Sequence, residues 1–178
     1  MIKFMVLGMP RSGTTWAANW LTTDKTICIH DPVGRYTLRE MDEIVYGDKL
    51  VGISCTASWM LGDWVDTHPA PKIIIDRNVG LVNKSLTALG LPLMSMQAVC
   101  RLKSLKGKRV DYEYLFDRNT AEMIWQHLLP AIPFDEDRHR ELCGYHIQPN
   151  WKQVAQDPSV IVKLSENFRR VQHEAQHS

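Results

Sequence analysis

The chain has 178 residues, 44% of them hydrophobic and 23% charged, a composition that suits one soluble domain and excludes a largely disordered or collagen-like chain. Lys and Arg number 21 against 20 Asp and Glu, so there is no global positive field and nucleic acid is not an expected partner. Four cysteines, Cys28, Cys55, Cys100 and Cys143, form no CxxC pair and read as reduced thiols of a cytoplasmic protein, which argues against a zinc site and a disulfide framework.

Taken in chain order, the first segment is the apolar run IKFMVLG over residues 2–8, a buried parallel strand closed by glycine. It has no charged leader and is shorter than the core of a signal peptide. Nowhere do about 18 apolar residues run together, so no membrane-spanning helix is expected. Residues 13–22 place Trp16, Trp20 and Leu21 at helical spacing, and TICIH at 26–30 reads as a second strand. A helix over 36–46 follows, then a strand or an extended approach at 50–56, and a helix over 59–65. Trp59 and Trp64 read as core, and His68, beside Pro69 and Pro71, as part of a surface loop.

The β-branched run Lys72–Asp76 is the strongest strand signal in the chain. Helices are expected over 80–89 and 93–105, separated by Gly90-Leu91-Pro92, and then a basic turn at 106–109. Residues 110–116, VDYEYLF, alternate like a strand and lead into a helix over 119–129. From Pro130 the chain reads as loop and polar helix, with a solvated polar tail from about residue 167. Strands alternating with helices predict a single domain over 1–178, three-layer α/β/α around a mostly parallel sheet.

The chemistry concentrates at the first strand-to-helix junction, Gly8-Met9-Pro10-Arg11-Ser12-Gly13-Thr14-Thr15-Trp16. Backbone N–H groups exposed at a helix start suit phosphate, Gly13 allows close approach, and Thr14 and Thr15 add hydroxyl donors. Arg11 brings positive charge. The spacing nearly matches a Walker A loop, GxxxxGK[ST], but Thr14 stands where that loop has its lysine, which counts against ordinary NTP hydrolysis. Read structurally, the same residues make a capped strand-to-helix turn.

The segment PRSGTTW at 10–16 resembles the 5′-phosphosulfate loop of sulfotransferases that use 3′-phosphoadenosine 5′-phosphosulfate (PAPS). Arg77 and Ser85, eight residues apart across a strand-to-helix junction, resemble that family's 3′-phosphate signature, although Val79 stands where the family usually has proline. Softer similarities are DYEYLF at 111–116 and IPFDEDR at 132–138. The resemblance implies a P-loop NTPase-like fold with PAPS as co-substrate and no metal. Arg11, Ser12, Gly13, Thr14, Thr15 and Trp16 would hold the phosphosulfate, and Arg77 and Ser85 the 3′-phosphate. Guanidinium and hydroxyl donors suit phosphate oxygens physically.

Sulfuryl transfer needs a base for the acceptor hydroxyl and positive charge, here Arg11 and the loop amides, for the leaving phosphate. The family places its base near the end of an early strand, and His30 and Asp31 lie at such an end. Spacing does not choose between them. Histidine is the better base near neutral pH, while Asp31 before Pro32 also suits a turn or cap. Arg35 and Arg39 either line an acceptor site or lie on a solvated face. So short a chain leaves little material for an acceptor pocket, which implies an exposed acceptor, a pocket completed by a homo-oligomer, or lost catalysis. The second class of function is a non-catalytic nucleotide-binding or interaction module, and the third an atypical nucleotide kinase.

Overall fold

The structure, a computed structural model, describes residues 1–144 together with 166, 167, 169–171, 173 and 174. Five strands are present there, β1 (Phe4–Gly8), β2 (Thr26–His30), β3 (Leu50–Cys55), β4 (Lys72–Asp76) and β5 (Lys108–Asp111). Between and after them run α1 (Thr14–Trp20), α2 (Leu38–Glu43), α3 (Gly62–Thr67), α4 (Val79–Thr87), α5 (Met96–Ser104), α6 (Arg118–Leu128) and α7 (Glu136–Cys143). The strands form one sheet in the order β2-β3-β1-β4-β5, and every pairing is parallel.

The apolar runs of β1 and β4 are continuous because helices cover both faces of the sheet. Along β1, Met5 and Leu7 face one core, with Ile53, Ile74 and side chains of α2, α3, α4 and α5. Phe4 and Val6 face the other, with Ile73, Ile75 and side chains of α1 and α6. This alternation at period two divides the molecule into three layers, α/β/α.

The helix order follows from the direction of each crossover. From β1 the chain passes through α1 to β2, on one side. From β3 it passes through α3 to β4, on the other side of β1. Right-handed crossovers therefore put α1 and α3 on opposite faces. Loops that diverge in this way open a crevice at the carboxyl ends of β1 and its neighbours, the usual ligand position in such sheets.

Several boundaries differ from the sequence reading. The strand expected over 110–116 instead starts at Lys108, inside the segment read as a turn, and stops at Asp111. Its only neighbour among the described residues, β4, ends at Asp76, which pairs with Asp111, so that ladder stops there and Tyr112–Tyr114 wind into a 3-10 turn. Residues 50–55 are a true interior strand. The helix of 36–46 is shorter, Leu38–Glu43, because Thr37 and Glu40 form a capping box. Ser95 caps α5, which leaves residues 93–95 outside it.

The tail read as solvated also packs. Its described residues 166, 167, 169–171, 173 and 174 are helical, and Val171 is fully buried in the first core. Asn167 Nδ2 donates to the Val33 carbonyl at 2.7 Å, and Glu174 Oε2 accepts the Leu38 N–H at 2.8 Å. His68 is likewise buried, between Asp42 Oδ1 at 2.9 Å and the N–H of Ala70 at 3.1 Å. Among the described residues no helix is long and apolar enough to cross a membrane.

Candidate functional site

The loop Met9–Gly13 leaves β1 in the middle of the sheet and turns sharply, with Arg11 at φ 67° and Gly13 at φ 79°. Both lie in the left-handed region, and Gly13 has a second reason to be glycine. A Cβ there would stand 2.6 Å from Cδ2 of Leu115. The Ala17 N–H donates to the Gly13 carbonyl at 2.9 Å, so the amides of Thr14, Thr15 and Trp16 precede the first intrahelical bond. Gly13 provides no side-chain cap for them. Ser12 is completely buried and its hydroxyl has no partner among the described residues, an arrangement that costs about 1–3 kcal/mol unless a ligand supplies one.

The segments around Arg11 and Arg77, read separately in the sequence, meet here. Arg11 Nε donates to Ser85 Oγ at 2.9 Å, and Arg77 Nη1 donates to the Arg11 carbonyl. The Arg77 guanidinium lies 4.0 Å from the centre of the Tyr112 ring, while its Nε is buried without a hydrogen-bond partner among the described residues. Asp76, its neighbour, is committed to Arg109 at 2.8 and 3.0 Å. Two guanidinium groups and a serine hydroxyl thus lie together, an arrangement that favours anions.

On the other side of β1, His30 ends β2 with its ring turned toward the start of α1. Its Nε2 lies 3.3 Å from Thr14 Oγ1 and 3.2 Å from Thr15 Oγ1, and its Nδ1 lies 3.6 Å from Asp31 Oδ2. Asp31 is held differently. It adopts φ 45°, and its Oδ1 accepts both the N–H of Thr56 at 2.6 Å and the Thr56 hydroxyl at 2.9 Å. The carboxylate is therefore fixed to the exit of β3 while the imidazole points to the threonines. A proton on Nδ1 facing Asp31 leaves Nε2 as the acceptor.

The Trp16 side chain is engaged in the core behind the loop. Its indole is buried, stacks on Trp20 at 5.1 Å, and donates from Nε1 to the Leu142 carbonyl at 3.1 Å, so only its backbone N–H faces the helix start. Arg35 Nη2 donates to the His30 carbonyl at 3.1 Å, whereas Arg39 forms an exposed pair with Glu43. Beside the site, burial pushes the Cys55 thiol well up, and the charge of Asp31 adds to this, so it offers no thiolate. Among the described residues no group of three or more His, Cys, Asp or Glu is placed to hold a metal ion. Thr56, which fixes Asp31, carries no motif in the sequence, and Tyr112, which faces Arg77, lies in the DYEYLF segment without a role assigned to it there.

No protein-family model and no curated protein matches the chain.

Proposed function

We propose that the protein is a P-loop-type sulfotransferase that binds PAPS across the crevice at the end of β1 and transfers its sulfuryl group to an acceptor hydroxyl. One observation carries this reading: the Arg11–Ser85 and Arg77–Arg11 contacts join the two predicted anion sites, so that one ligand with two anionic ends reaches both. Ser12, Gly13, Thr14 and Thr15, with the Trp16 N–H, take the 5′ end. Arg77 and Ser85 take the 3′-phosphate. Thr14 in the position of the Walker lysine disfavours ATP as the natural donor.

In the transfer, the acceptor oxygen bonds to sulfur as the bond between sulfur and the 5′-phosphate oxygen breaks. The acceptor proton passes to His30 Nε2, and Asp31, anchored by Thr56, steadies the imidazolium through Nδ1. The departing bisphosphate gains a negative charge, which Arg11 and the first amides of α1 meet. His30 is thus the base and Asp31 its positioning partner.

Calorimetry with adenosine 3′,5′-bisphosphate tests the reading. The unmutated protein binds, and Arg77→Ala weakens binding by about tenfold or more, the loss of a charge-assisted hydrogen bond of roughly 1.5–3 kcal/mol. Absence of binding by the unmutated protein refutes the proposal. Binding without conversion of labelled PAPS, across a panel of hydroxyl acceptors, assigns the chain to the non-catalytic class.

A further inference from the structure

The backbone is strained beside the base. Asp31 adopts φ 45° and ψ 57°, in the left-handed region, and the next residue is Pro32. A residue with a Cβ enters that region at a cost, and a residue before proline is pushed toward extended backbone instead. A conformation disfavoured on both counts persists only where its surroundings impose it, and such positions cluster at functional sites. From the β3 side, Thr56 holds Asp31 Oδ1, and the Ser54 carbonyl accepts the Asp31 N–H at 2.8 Å.

On the other side lies the turn Pro32–Gly34, in which the N–H groups of Arg35 and Tyr36 donate to the Pro32 carbonyl at 2.7 and 2.9 Å. One distant side chain takes two carbonyls of this stretch. Asn167 Nδ2 donates to that of Val33 at 2.7 Å and to that of Tyr36 at 3.3 Å. Asn167 is 8% exposed and Val33 1%, so burial shields this clamp from water. Asn167, Val171 and Glu174 follow one another at i, i+4 and i+7, on one face of a helix. Val171 is buried in the adjoining core, and Glu174 Oε2 accepts the Leu38 N–H at 2.8 Å. Arg35, inside the clamped stretch, donates from Nη2 back to the His30 carbonyl at 3.1 Å. The segment after His30 and Asp31 is thus fastened at both ends by residues more than 130 positions away.

We infer that Asn167 is a positioning residue of the site. By fixing the turn after Asp31 it keeps that residue left-handed, and so keeps Oδ2 at 3.6 Å from His30 Nδ1, the contact that leaves Nε2 as the proton acceptor. Without the clamp the turn opens, Asp31 relaxes to negative φ, and the imidazole loses the carboxylate that sets its tautomer. The inference deepens the reading above, since it rests on His30 as the base.

Nitrogen-15 NMR of the histidine rings at about pH 9, where imidazole is neutral, reads which ring nitrogen carries the proton and needs no turnover. His30→Gln identifies the His30 signals, and in the unmutated protein these should show mainly the Nδ1–H form. Asn167→Ala, and Asn167→Leu, which keeps a branched side chain without a donor, should each lower the ratio of Nδ1–H to Nε2–H at His30 by about threefold or more. His68 is the control, since its Nε2 faces Asp42 and its Nδ1 accepts the Ala70 N–H, and its tautomer should not change. In PAPS turnover the same variants should lose about tenfold or more in kcat, with nucleotide affinity within about twofold.

An unchanged His30 ratio in the Asn167 variants, an unchanged kcat, or a His30 of the unmutated protein that is not mainly Nδ1–H overturns the inference and leaves the nucleotide reading standing. A His68 that changes together with His30 shows general loosening of the fold and overturns it as well. A lowered ratio at His30 alone, with no turnover by the unmutated protein, assigns the chain to the non-catalytic class while Asn167 keeps its hold on the imidazole. Should neither Asn167 variant fold, Glu174→Ala, which releases the Leu38 N–H at the far end of the segment, decides by the same ratio.

Discussion

Replacing Gly13 by Ala tests how tightly the loop between β1 and α1 is built. At φ 79° an alanine pays a left-handed penalty of about 1–2 kcal/mol. Its Cβ also meets Leu115 Cδ2 at 2.6 Å and Tyr112 Cε2 at 3.4 Å. Leu115 is 1% exposed and belongs to the core between α1 and α6, so it has no solvent to swing into. Overpacking of this kind costs about 1–3 kcal/mol. The sum, about 2–5 kcal/mol, lowers the melting temperature by roughly 7–14 °C near its midpoint, at about 2–4 °C per kcal/mol for a chain of this size. Gly90→Ala is the control. That residue has φ 69° with nothing within 4 Å of its Cβ, so it carries the backbone penalty alone. Urea unfolding followed by tryptophan fluorescence gives both costs, and Leu115→Ala combined with Gly13→Ala should show a coupling of about 1 kcal/mol or more. A Gly13→Ala cost no larger than that of Gly90→Ala refutes the close contact.

Two further outcomes concern the packing around the site. His139 sits among the rings of Trp16, Trp20 and Phe134, and burial lowers its pKa, with Asp117 and Glu136 pulling the other way. The unfolded chain then takes up the proton more readily than the folded one. This contribution to stability is complete above the ordinary histidine value of about 6.5 and is lost as pH falls through it toward the lower folded value. Urea midpoints between about pH 5 and 8 should slope less in His139→Gln than in the unmutated protein, and equal slopes contradict the assignment. Val171→Ala removes two methyl groups from a fully buried site, about 1.5–2 kcal/mol at about 0.8 kcal/mol each, and thermal unfolding unchanged within about 0.5 kcal/mol would show that the C-terminal helix does not pack there.

The sequence marked the interior of the sheet more clearly than its edge. β1 and β4 are buried on both faces, so their apolar runs are unbroken and their limits plain. At the edge, β5 buries only Val110 and leaves Lys108, Arg109 and Asp111 exposed, so its first half looked like a basic turn. The C-terminal helix was missed for a related reason. Its attachment rests on Val171, Asn167 and Glu174, and two of those three are polar groups whose value lies in backbone partners on the distant segment 33–38. His68 misled through its prolines. Pro69 and Pro71 suggested a surface loop, yet the imidazole is drawn inward by Asp42 of α2.

The candidate site divides along the same physical line. An anion loop depends on backbone amides, left-handed turns and small hydroxyl side chains, features that local residue types declare within a few positions. The tight strand-to-helix turn at Gly8–Thr15, with its left-handed Arg11 and Gly13, was legible for that reason. The choice between His30 and Asp31 was not, because it depends on pairing between β2 and β3. That register sets His30 opposite Ser54, which brings Thr56 to the Asp31 carboxylate across 25 positions of sequence. With Asp31 captured from behind, the imidazole is the group left facing Thr14 and Thr15. The orientation of the pair therefore belongs to Thr56 as much as to either residue, since removing its hydroxyl would release one of the two hydrogen bonds that hold Asp31 at the exit of β3.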